Sequence, residues 1–591
     1  MGQAMLNESA PINKDVVIIG AGPAGATLAL ILAKHYDIKP LVISRHKGTA
    51  NTPRAHIFNQ RAMEVMRDVG LEQQLSYVAS AATEMQHTSW SHTLNGREYG
   101  RLWSWGNDPA RRGTYEASSP CQMTDLPQSY LEPVLVKESQ QLGVEYQFNT
   151  EFVSFKQTDD QVRTCIRNRE SGTCSVVISK FLVGADGARS AVLDELGIPV
   201  DGCRLNDAFN VHIKADLSRY FEHRPGSLNW VLNPDAPEWS AVGNFRMVRP
   251  WNEFVVSMHP SAKEGKPFEP SSDDIRRRLY QMIGEKEVGI EILSAYKWTI
   301  NDQIARSWQK GRVICIGDAT HRHPPINGLG SNTYISDAFN VAWKLGYVLK
   351  GWASPRLLET LTDERKPVGD RIVRRANAGM EVHRKLWGIL GLTQEARETA
   401  VQTLESDTCE GTLLRKDLRQ TLELVDDEVQ AIGIQMNQVY LNSRATMAEL
   451  DDHPPDFSHS NELKDVFLST FPGYHLPHLW LARDGHSPKV STLDLAGHGY
   501  FLLLTREAGG KWLKAVETVL ETRQIPIKAC SIGFGCDYMD AYRGWSKICD
   551  VEDDGAVLVR PDHFVAWRCH SLQSGHVGKL QEVLGHCLGY D

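Results

Sequence analysis

Several short stretches of this 591-residue chain contain residues whose types and spacing suit nucleotide chemistry. The first is Gly20-Ala-Gly22-Pro-Ala-Gly25, which follows the apolar run Val16–Ile19. In such a turn the first glycine makes the bend, the second lets the backbone approach a pyrophosphate, and the third lets a helix pack on the strand. Pro23 and Ala24 open the predicted helix, which extends to about Tyr36 and whose first N–H groups can bind an anion. This stretch predicts a dinucleotide site.

Two aspartates each follow an apolar run that reads as a buried strand. Asp186 lies in the sequence Gly-Ala-Asp-Gly, and Asp318 follows the predicted strand Val313–Ile316. A carboxylate at the end of such a strand can accept hydrogen bonds from ribose or ribityl hydroxyls. A helix is predicted from about Thr333 to Lys350, with its N-cap at Ser331-Asn332 and its positive end toward the ring edge of a cofactor. The loop and cap contribute these candidate ligands: Pro325, Gly328, Gly330, Ser331 and Asn332.

The predicted second strand, Leu41–Ser44, departs from the usual dinucleotide pattern. That pattern has an acidic residue at this point to hold the adenosine ribose, whereas this chain has Ser44 followed by Arg45. We take both as candidate cofactor ligands. Arg45 also suits the ribose phosphate of NADP, so an NADP site in this half of the chain stays open.

Composition limits the function classes. The chain has a net charge of −9, and no basic run interleaved with aromatic residues, which argues against nucleic-acid binding. Its eleven cysteines show neither CxxC nor zinc-ligand spacing, so we expect no metal, reduced thiols and a cytoplasmic location. The uncharged run Val16–Ala33 has the length of a membrane span, but its glycines fit a nucleotide turn, so we expect no membrane association.

Three ordered motifs resemble the FAD-dependent aromatic hydroxylases of the para-hydroxybenzoate and phenol hydroxylase type. They are the glycine turn, the DG motif around Asp186 and the GD motif Gly317-Asp318. Within this family the chain looks most like the 2,4-dichlorophenol 6-monooxygenase branch, through the stretches Thr52–Ile57, His321–Thr333 and Gly555–Arg568. The resemblance covers nearly the whole chain.

The resemblance implies FAD, NADPH (or NADH), O2 and a small aromatic substrate, in a homodimer. The reduced flavin would form a hydroperoxide at C4a, and the electron-rich substrate ring would take its distal oxygen. Arg54 matches a family arginine that approaches the flavin, and Gln128 matches a glutamine that bonds the ribityl chain. His56 and His323 are candidate bases for the phenol proton, and Pro325 is placed with them at the reaction centre.

The fold class that follows is α/β, with a Rossmann-type FAD-binding domain interleaved with an antiparallel-sheet substrate domain and a C-terminal thioredoxin-like domain. We assign residues 1–79, 113–200 and 301–385 to FAD binding, and 80–112 and 201–300 to the substrate sheet. Residues 386–465 are a helical segment and linker. Residues 466–591 are the thioredoxin-like domain, which has no CxxC and is expected to be redox-inactive.

Other functions stay open at this point. A dehydrogenase could use the glycine turn alone with NADP, and a non-catalytic protein could keep the fold for binding. Among flavin enzymes, a monooxygenase of polyketide or aromatic secondary metabolism could carry out decarboxylative hydroxylation or a Baeyer–Villiger-type oxidation.

Overall fold

The computed structural model describes residues 11–233, 235–261 and 269–590. Within them the chain forms a mixed α/β structure with two eight-stranded sheets and one four-stranded sheet. Strand Ile12–Ile19 begins earlier than the sequence suggested. From the sequence, Met1–Lys14 is expected to be a loose leader. This expectation is wrong for residues 12–14, which belong to the strand, and residues 1–10 lie outside the described part.

The first sheet, here called the parallel sheet, surrounds strand Ile12–Ile19, which pairs in parallel with the strands on both sides. Its first residues are partly exposed, but Val16–Ile19 is buried, as the uninterrupted apolar run requires of a central parallel strand. The main path of the sheet has this strand order: Gln309–Lys310, Val313–Cys315, Cys174–Gly184, Ile12–Ile19, Leu41–Ile43, Glu145–Gln147.

The alternating pattern of residues between 144 and 182 predicts a small antiparallel sheet on one side of the Rossmann core, and the structure differs from this in part. Glu145–Gln147 pairs in parallel with Leu41–Ile43 at one edge of the parallel sheet. Thr150–Gln157 and Val162–Asn168 do pair antiparallel, but they join the same sheet through Cys174–Gly184. This strand has eleven residues, long enough to pair with a hairpin at its start and with the sheet centre at its end.

The second sheet, here called the antiparallel sheet, contains the aromatic-rich middle of the chain. Its pairs are antiparallel except for the parallel pair of Gly226–Val231 with His87–Ser91. The tryptophan-rich run after residue 80 forms two of its strands, as predicted. The strand order is His321–Arg322, Glu291–Ala305, Val200–Lys214, Glu253–His259, Val242–Arg249, Gly226–Val231, His87–Ser91, Glu98–Trp103.

Helices cover both main sheets, and several agree with the sequence prediction. Pro23–Tyr36 begins and ends as expected. The sequence also predicts a helix from Pro127-Gln128 to about Gln141 and a charged helical segment after Arg371, and the structure has helices at both places. The α-helices are Pro23–Tyr36, Gln60–Asp68, Glu72–Val78, Arg112–Ser118, Gln128–Gln141, Ala191–Leu196, Ser218–Phe221, Ser272–Ile283, Gly330–Leu349, Thr360–Leu390, Gln394–Glu405, Cys409–Val429, Ile432–Met436, Thr492–Leu495, Gly510–Arg523, Trp545–Ile548 and His576–Cys587.

The third sheet lies in the C-terminal part. Its strand order is Ile527–Ser531, Phe501–Thr505, Ala556–Val559, Val565–Cys569, with the first two parallel and the others antiparallel. The sequence pattern also predicts a strand over Leu476–Leu481. This was wrong in extent, because only Trp480–Leu481 forms a strand, in a hairpin with Val490–Ser491 outside this sheet.

A buried ionic cluster joins the C-terminal part to the helices that follow the GD motif. Arg560 donates to Glu364 over 2.6 and 3.0 Å and to Asp562, and Lys344 donates to Glu364 over 2.6 Å. These four side chains are at most 1% exposed. Removing one partner of such a cluster leaves buried charge uncompensated, at a cost of about 3–5 kcal/mol. The cluster therefore holds Gly330–Leu349 and Thr360–Leu390 against the C-terminal sheet.

Candidate active site

A cavity of about 1590 Å³ lies where the carboxyl ends of the parallel strands meet one face of the antiparallel sheet. Most of the predicted site residues line it, although they come from distant parts of the chain. These are Gly20, Gly22, Pro23, Ala24, Ser44, Arg45, Arg54, His56, Gln128, Asp186, Asp318, His323, Pro325, Gly328, Gly330 and Ser331. Gly25 and Asn332 do not line it.

The glycine turn has the geometry that a bound pyrophosphate requires. Gly20 has φ +115°, and a Cβ there would lie 2.1 Å from the carbonyl oxygen of Ala185. A Cβ on Gly25 would lie 2.0 Å from the carbonyl oxygen of Gly20, so its role is close packing of helix on strand. Gly22 faces the cavity, with a Glu132 oxygen 3.8 Å from its would-be Cβ as the nearest atom. No side chain caps the helix at Gly22, which leaves its N–H groups to a ligand.

Glu132 is a cavity residue that the sequence reasoning missed. It is buried at 3% exposure, and it accepts hydrogen bonds of 2.5 Å from the amide of Gln128 and from the backbone N–H of Ala50. Burial raises the pKa of Glu132, although these two hydrogen bonds lower it. Gln128, which also lines the cavity, is held in place by this hydrogen bond to Glu132.

Asp186 lies two residues after the buried strand Cys174–Gly184, as predicted. Its carboxylate accepts from the Ser190 hydroxyl over 2.5 Å and from the backbone N–H of Val192 over 3.3 Å. Burial raises the pKa of Asp186, and the Ser190 hydrogen bond opposes this effect. The side chain is therefore fixed in orientation at the cavity wall.

Asp318 lies in a tight 3-10 turn, Gly317–Ala319, at the start of the GD loop, residues Gly317–Leu329. Gly317 has φ +68°, which favours glycine. One carboxylate oxygen of Asp318 accepts from the hydroxyl of Tyr334 in the helix that follows. Burial and then the charge of Asp318 raise the pKa of Tyr334, so this phenol stays a donor. The other carboxylate oxygen is available to a ligand in the cavity.

A buried carboxylate behind the GD loop, Asp337, sets the position of this turn. Asp337 is fully buried and accepts from the Gly317 backbone N–H over 3.1 Å, from His321 over 3.0 Å and from Arg365 over 2.8 Å. Although burial raises its pKa, the charges of Arg365 and His321 outweigh this and lower it. The sequence reasoning missed Asp337, because its contact with Gly317 joins residues 20 positions apart and no local sequence pattern indicates it.

The predicted N-cap at Ser331-Asn332 was wrong. The helix begins at Gly330, its N-cap is Leu329, and Asn332 is inside the first turn. The Asn332 amide donates to the Ile57 carbonyl over 2.9 Å and to the Gly328 carbonyl, and its oxygen accepts from the Asn59 N–H. This side chain therefore joins the GD loop to the segment that contains His56, and a role for Asn332 in cofactor binding stays a prediction.

His56 forms the most ordered acid–base pair of the cavity. Strand Ile57–Phe58 pairs with Thr124–Asp125, and this places the Asp125 carboxylate 2.8 Å from His56 Nδ1. Asp125 is fully buried and His56 is 7% exposed. Burial lowers the pKa of His56, and this effect is larger than that of the Asp125 charge and hydrogen bond, which raise it. The imidazole is therefore neutral near pH 7, with its proton on Nδ1 and its Nε2 lone pair available.

His323 has a different environment. Its Nδ1 lies 2.6 Å from the carbonyl oxygen of Pro324, and its Nε2 is buried with no protein partner among the described residues. Burial lowers its pKa to about 4. Since its Nδ1 partner is a neutral carbonyl, an imidazolium at His323 would lack the charge compensation that Asp125 gives His56.

The face of the antiparallel sheet forms the opposite wall. One row of cross-strand neighbours runs over five strands, and every member lines the cavity: Trp230, Asn244, Ser257, Asn210 and Tyr296. At about 4.8 Å between strands, the row spans about 19 Å. Its centre is polar, since Asn210 accepts from Ser257 over 2.8 Å and from Trp298 over 3.0 Å.

Arg246 is a further cavity residue that the sequence reasoning missed. It lies on the same face, two residues from Asn244, and its guanidinium donates to the Pro53 carbonyl. Its Nε is buried and has no hydrogen-bond partner among the residues that the structure describes. Burial lowers its pKa, and its charge in turn lowers the pKa of His56. This places a cation beside the His56–Asp125 pair, where it favours an anionic substrate oxygen.

The described residues lack two features that other classes of function would need. No group of three or more His, Cys, Asp or Glu side chains is arranged to hold a metal ion. No helix in that part of the chain is both long and apolar enough to cross a membrane.

These features fit FAD. The turn at Gly20 and Gly22 leaves room for a pyrophosphate beside an uncapped helix, Asp318 has a free carboxylate oxygen, and the cavity continues from both to the antiparallel sheet. A simple dinucleotide dehydrogenase would need only the first of these features.

Comparison with known proteins agrees with this geometry. Residues 13–376 match the family "FAD binding domain", and residues 469–590 match the family "Aromatic-ring hydroxylase, C-terminal". The chain is 39% identical to 2,4-dichlorophenol 6-monooxygenase of Delftia acidovorans, over 99% of this chain and 100% of that protein. It is 38% identical to a phenol 2-monooxygenase of a Pseudomonas species, over 98% and 94%.

A solved structure shows the same architecture. The flavin-dependent monooxygenase PieE, in complex with FAD and substrate, superposes with a TM-score of 0.92 at 37% identity, over 98% of this chain and 100% of that one. The resemblance to aromatic hydroxylases that the sequence motifs suggested is thus confirmed, and so is FAD as cofactor. This chain is an oxidoreductase and belongs to the FAD-dependent aromatic-ring hydroxylases.

Proposed function

We propose that the protein hydroxylates a phenol or chlorophenol, using NADPH (or NADH) and O2. The overall reaction converts the phenol, O2, NAD(P)H and a proton into a hydroxylated phenol, water and NAD(P)+. The relatives named above support the substrate class. The observation that carries the proposal is the His56–Asp125 pair, which lies in the same cavity as the glycine turn and Asp318.

The residues that would hold FAD follow from their positions in the cavity. Gly20, Gly22 and the N-terminus of Pro23–Tyr36 would bind the pyrophosphate, and Asp318 a ribityl hydroxyl. The N-terminus of Gly330–Leu349 would stabilise negative charge on the ring edge. Bound FAD supplies hydride acceptance and O2 activation. We also assign Gln128, Arg54, Ser44, Arg45 and Asp186 to the cofactors, and Pro325 to the reaction centre with its neighbours.

His56 is the stronger candidate for the base that takes the phenol proton. A phenol resembles the tyrosine side chain, whose pKa is about 10. Transfer of its proton to His323, whose pKa is about 4, therefore costs about 8 kcal/mol. His323 is therefore a poor proton acceptor. The pKa of His56 is lowered too, but Asp125 would stabilise the imidazolium as it forms, and Arg246 would stabilise the phenolate. A phenolate is the better electron donor, and oxygen enters ortho or para to its oxygen.

The other functions considered above receive less support. Polyketide hydroxylases are more distant relatives, and the match of the chain to flavin-hydroxylase families at both ends does not favour a simple dehydrogenase or a purely binding protein. We keep the domain division given above as a proposal, although helix Thr360–Leu390 continues past its boundary at residue 385.

The C-terminal sheet, with helices Gly510–Arg523 and His576–Cys587, is consistent with a thioredoxin-like domain. We propose that it is structural and redox-inactive, since burial raises the pKa of Cys530 to about 12 and also raises that of Cys549. Neither Cys530 nor Cys549 forms a disulfide, which supports a cytoplasmic location. Assembly into a homodimer stays a prediction.

The test is turnover under isotopically heavy O2 with a panel of phenols, NADPH and NADH. We expect one heavy oxygen atom in the product, with NAD(P)H oxidation faster when the phenol is present. A product whose new oxygen comes from water, or oxidation of NAD(P)H that no phenol accelerates, would refute the proposal.

A further inference from the structure

Glu428 is a carboxylate of the cavity to which the function proposed above gives no role. It lies near the end of helix Cys409–Val429 and is 5% exposed. One carboxylate oxygen accepts a hydrogen bond of 2.6 Å from His383 Nε2, which fixes the side chain. The other oxygen has no hydrogen-bond partner among the described residues and is not enclosed by protein atoms, so a ligand in the cavity can reach it.

The surroundings of Glu428 suit the substrate better than the cofactor. The ring of His383 packs on that of Trp230, with centroids 4.8 Å apart, and Trp230 packs on His259 at 5.8 Å. Trp230 and His259 are cavity residues of the antiparallel sheet, opposite the glycine turn. A reduced flavin carries negative charge, which we place at the N-terminus of Gly330–Leu349 and which the Glu428 carboxylate would repel. The open oxygen is therefore left to the substrate.

The Glu428 end of the cavity is distant from the place proposed for the phenol oxygen. Arg246, which would stabilise that oxygen, is paired with Val255, and His259 lies four residues further along the same strand. At about 3.3 Å per residue the two positions are about 13 Å apart. This distance exceeds a phenol ring, so a substrate group that reaches Glu428 must lie on a side chain of the ring.

The charges at this end favour a hydrogen-bond donor. A carboxylate can only accept, and a second carboxylate on the substrate would face Glu428 as a like charge. His259 does not supply a cation near pH 7, since burial lowers its pKa to about 4. The charge of Arg375 interacts with that of Glu428, but Arg375 does not line the cavity, and its Nε donates to Asn327 over 3.4 Å.

From these observations we infer that the preferred substrate is a phenol with a hydrogen-bond donor, a hydroxyl or an ammonium group, on a short side chain. The donor would bind the open oxygen of Glu428, and the same oxygen would reject phenols whose side chain ends in a carboxylate. This inference rests on the proposed phenol hydroxylation and narrows it.

The experiment uses the holoenzyme and four phenols with the same ring and a side chain of the same length. They are 4-(2-hydroxyethyl)phenol, 4-(2-aminoethyl)phenol, 4-hydroxyphenylacetate and 4-ethylphenol, with the 3-substituted series in parallel. The variant Glu428→Gln keeps the shape, and its amide oxygen can accept from His383, which turns an N–H donor toward the cavity. Glu423→Gln is the matched control, because it removes the same charge from an exposed position of the same helix.

We expect the wild type and Glu423→Gln to hydroxylate at least one of the two donor compounds with kcat/KM about tenfold above 4-ethylphenol, the ratio that one hydrogen bond to a charged group gives. Which of the two is preferred tells a hydroxyl from an ammonium group. The carboxylate compound should fall below 4-ethylphenol. In Glu428→Gln the ratio of kcat/KM between the ammonium and carboxylate compounds should fall about tenfold or more.

The ranking in the wild type is a test by itself and does not depend on the folding of a variant. If the wild type hydroxylates 4-ethylphenol but gains nothing from a donor, or accepts the carboxylate compound equally well, the inference is overturned and the proposed function stands. An unchanged ratio in an active Glu428→Gln variant would also overturn the inference alone. Failure to hydroxylate any of the phenols would overturn the proposed function as well.

Discussion

The imidazole Nδ1 of His56 and the carboxylate of Asp125 form a 2.8 Å hydrogen bond in a buried part of the cavity, 69 residues apart in sequence. The backbone pairing of Ile57–Phe58 with Thr124–Asp125 fixes both partners, so the bond does not depend on side-chain flexibility. This relationship selects the His56 tautomer that leaves Nε2 free to accept a proton.

We therefore predict that Asp125→Asn lowers kcat/KM for phenol about 100-fold or more near neutral pH, within the range for loss of an oriented general base. A base is needed only while the phenol still has its proton. The loss of kcat/KM in Asp125→Asn should therefore become smaller as pH rises, and it should be smaller for a more acidic chlorophenol. Steady-state NAD(P)H oxidation over a pH series measures both effects. The matched control is His323→Gln, which should lower kcat/KM much less. A pH-independent loss in Asp125→Asn, equal for all phenols, would show that Asp125 has only a structural role.

Asp318 leads to a second prediction, on cofactor retention. Loss of a hydrogen bond to a charged group costs about 1.5–3 kcal/mol, so Asp318→Ala should weaken FAD binding about tenfold or more. Tyr334→Phe keeps the carboxylate and removes only the hydroxyl that orients it, so we expect a smaller loss. Flavin absorbance of the protein fraction after dialysis gives the comparison. Full flavin content in Asp318→Ala would contradict the assignment.

Local patterns in the sequence were sufficient to predict part of this site. The glycine turn, the helix Pro23–Tyr36 and the aspartates at strand ends were predicted, because each depends on residues close in sequence. Asp125 and Arg246 were missed, because their contacts to His56 and Pro53 span 69 and 193 residues. Nothing in the sequence around either residue marks such a contact.

The helix start after the GD loop shows how tertiary contacts override a local rule. Asparagine is a good N-cap residue, and this favoured a start after Asn332. In the fold, the amide of Asn332 bonds to the carbonyls of Ile57 and Gly328, and the helix begins three residues earlier, at Gly330. The strand Glu145–Gln147 is a similar case, since its partner was decided by the sheet edge left open at Leu41–Ile43.

Buried histidines lead to a prediction for stability. Burial, and then the charge of His383, lower the pKa of His259 to about 4 from 6.5. Between these values the unfolded chain binds a proton that the folded chain does not, so the free energy of unfolding falls as pH falls from 6.5 toward 4. For this one group the decrease reaches about 3 kcal/mol.

The variant His259→Asn should therefore show a shallower loss of stability over this pH range than the wild type, whatever its stability at pH 7. Urea unfolding at a series of pH values measures the slope. His453→Asn, at an exposed histidine, is the control and should leave the slope unchanged. A slope in His259→Asn equal to that of the wild type would contradict the neutral state of His259.

The last prediction concerns two glycines of the helix Thr360–Leu390. A Cβ on Gly379 would lie 2.4 Å from Cγ2 of Ile326 in the GD loop, whereas a Cβ on Gly388 would meet nothing within 4 Å. Alanine in a helix is favoured over glycine by about 1 kcal/mol, so Gly388→Ala should stabilise the protein by up to that amount and leave activity unchanged. Gly379→Ala gains the same helical preference but pushes Ile326, and with it the loop that contains Pro325 and Gly328.

We expect Gly379→Ala to lose the stability gain and to waste reductant, because a displaced GD loop would no longer place the substrate against the cofactor. The measurement is the ratio of hydroxylated product to NAD(P)H consumed, together with the melting temperature of both variants. Gly388→Ala should keep the wild-type ratio, and Gly379→Ala should lower it. If the two variants behave alike in both measurements, the contact between the long helix and Ile326 does not position the GD loop.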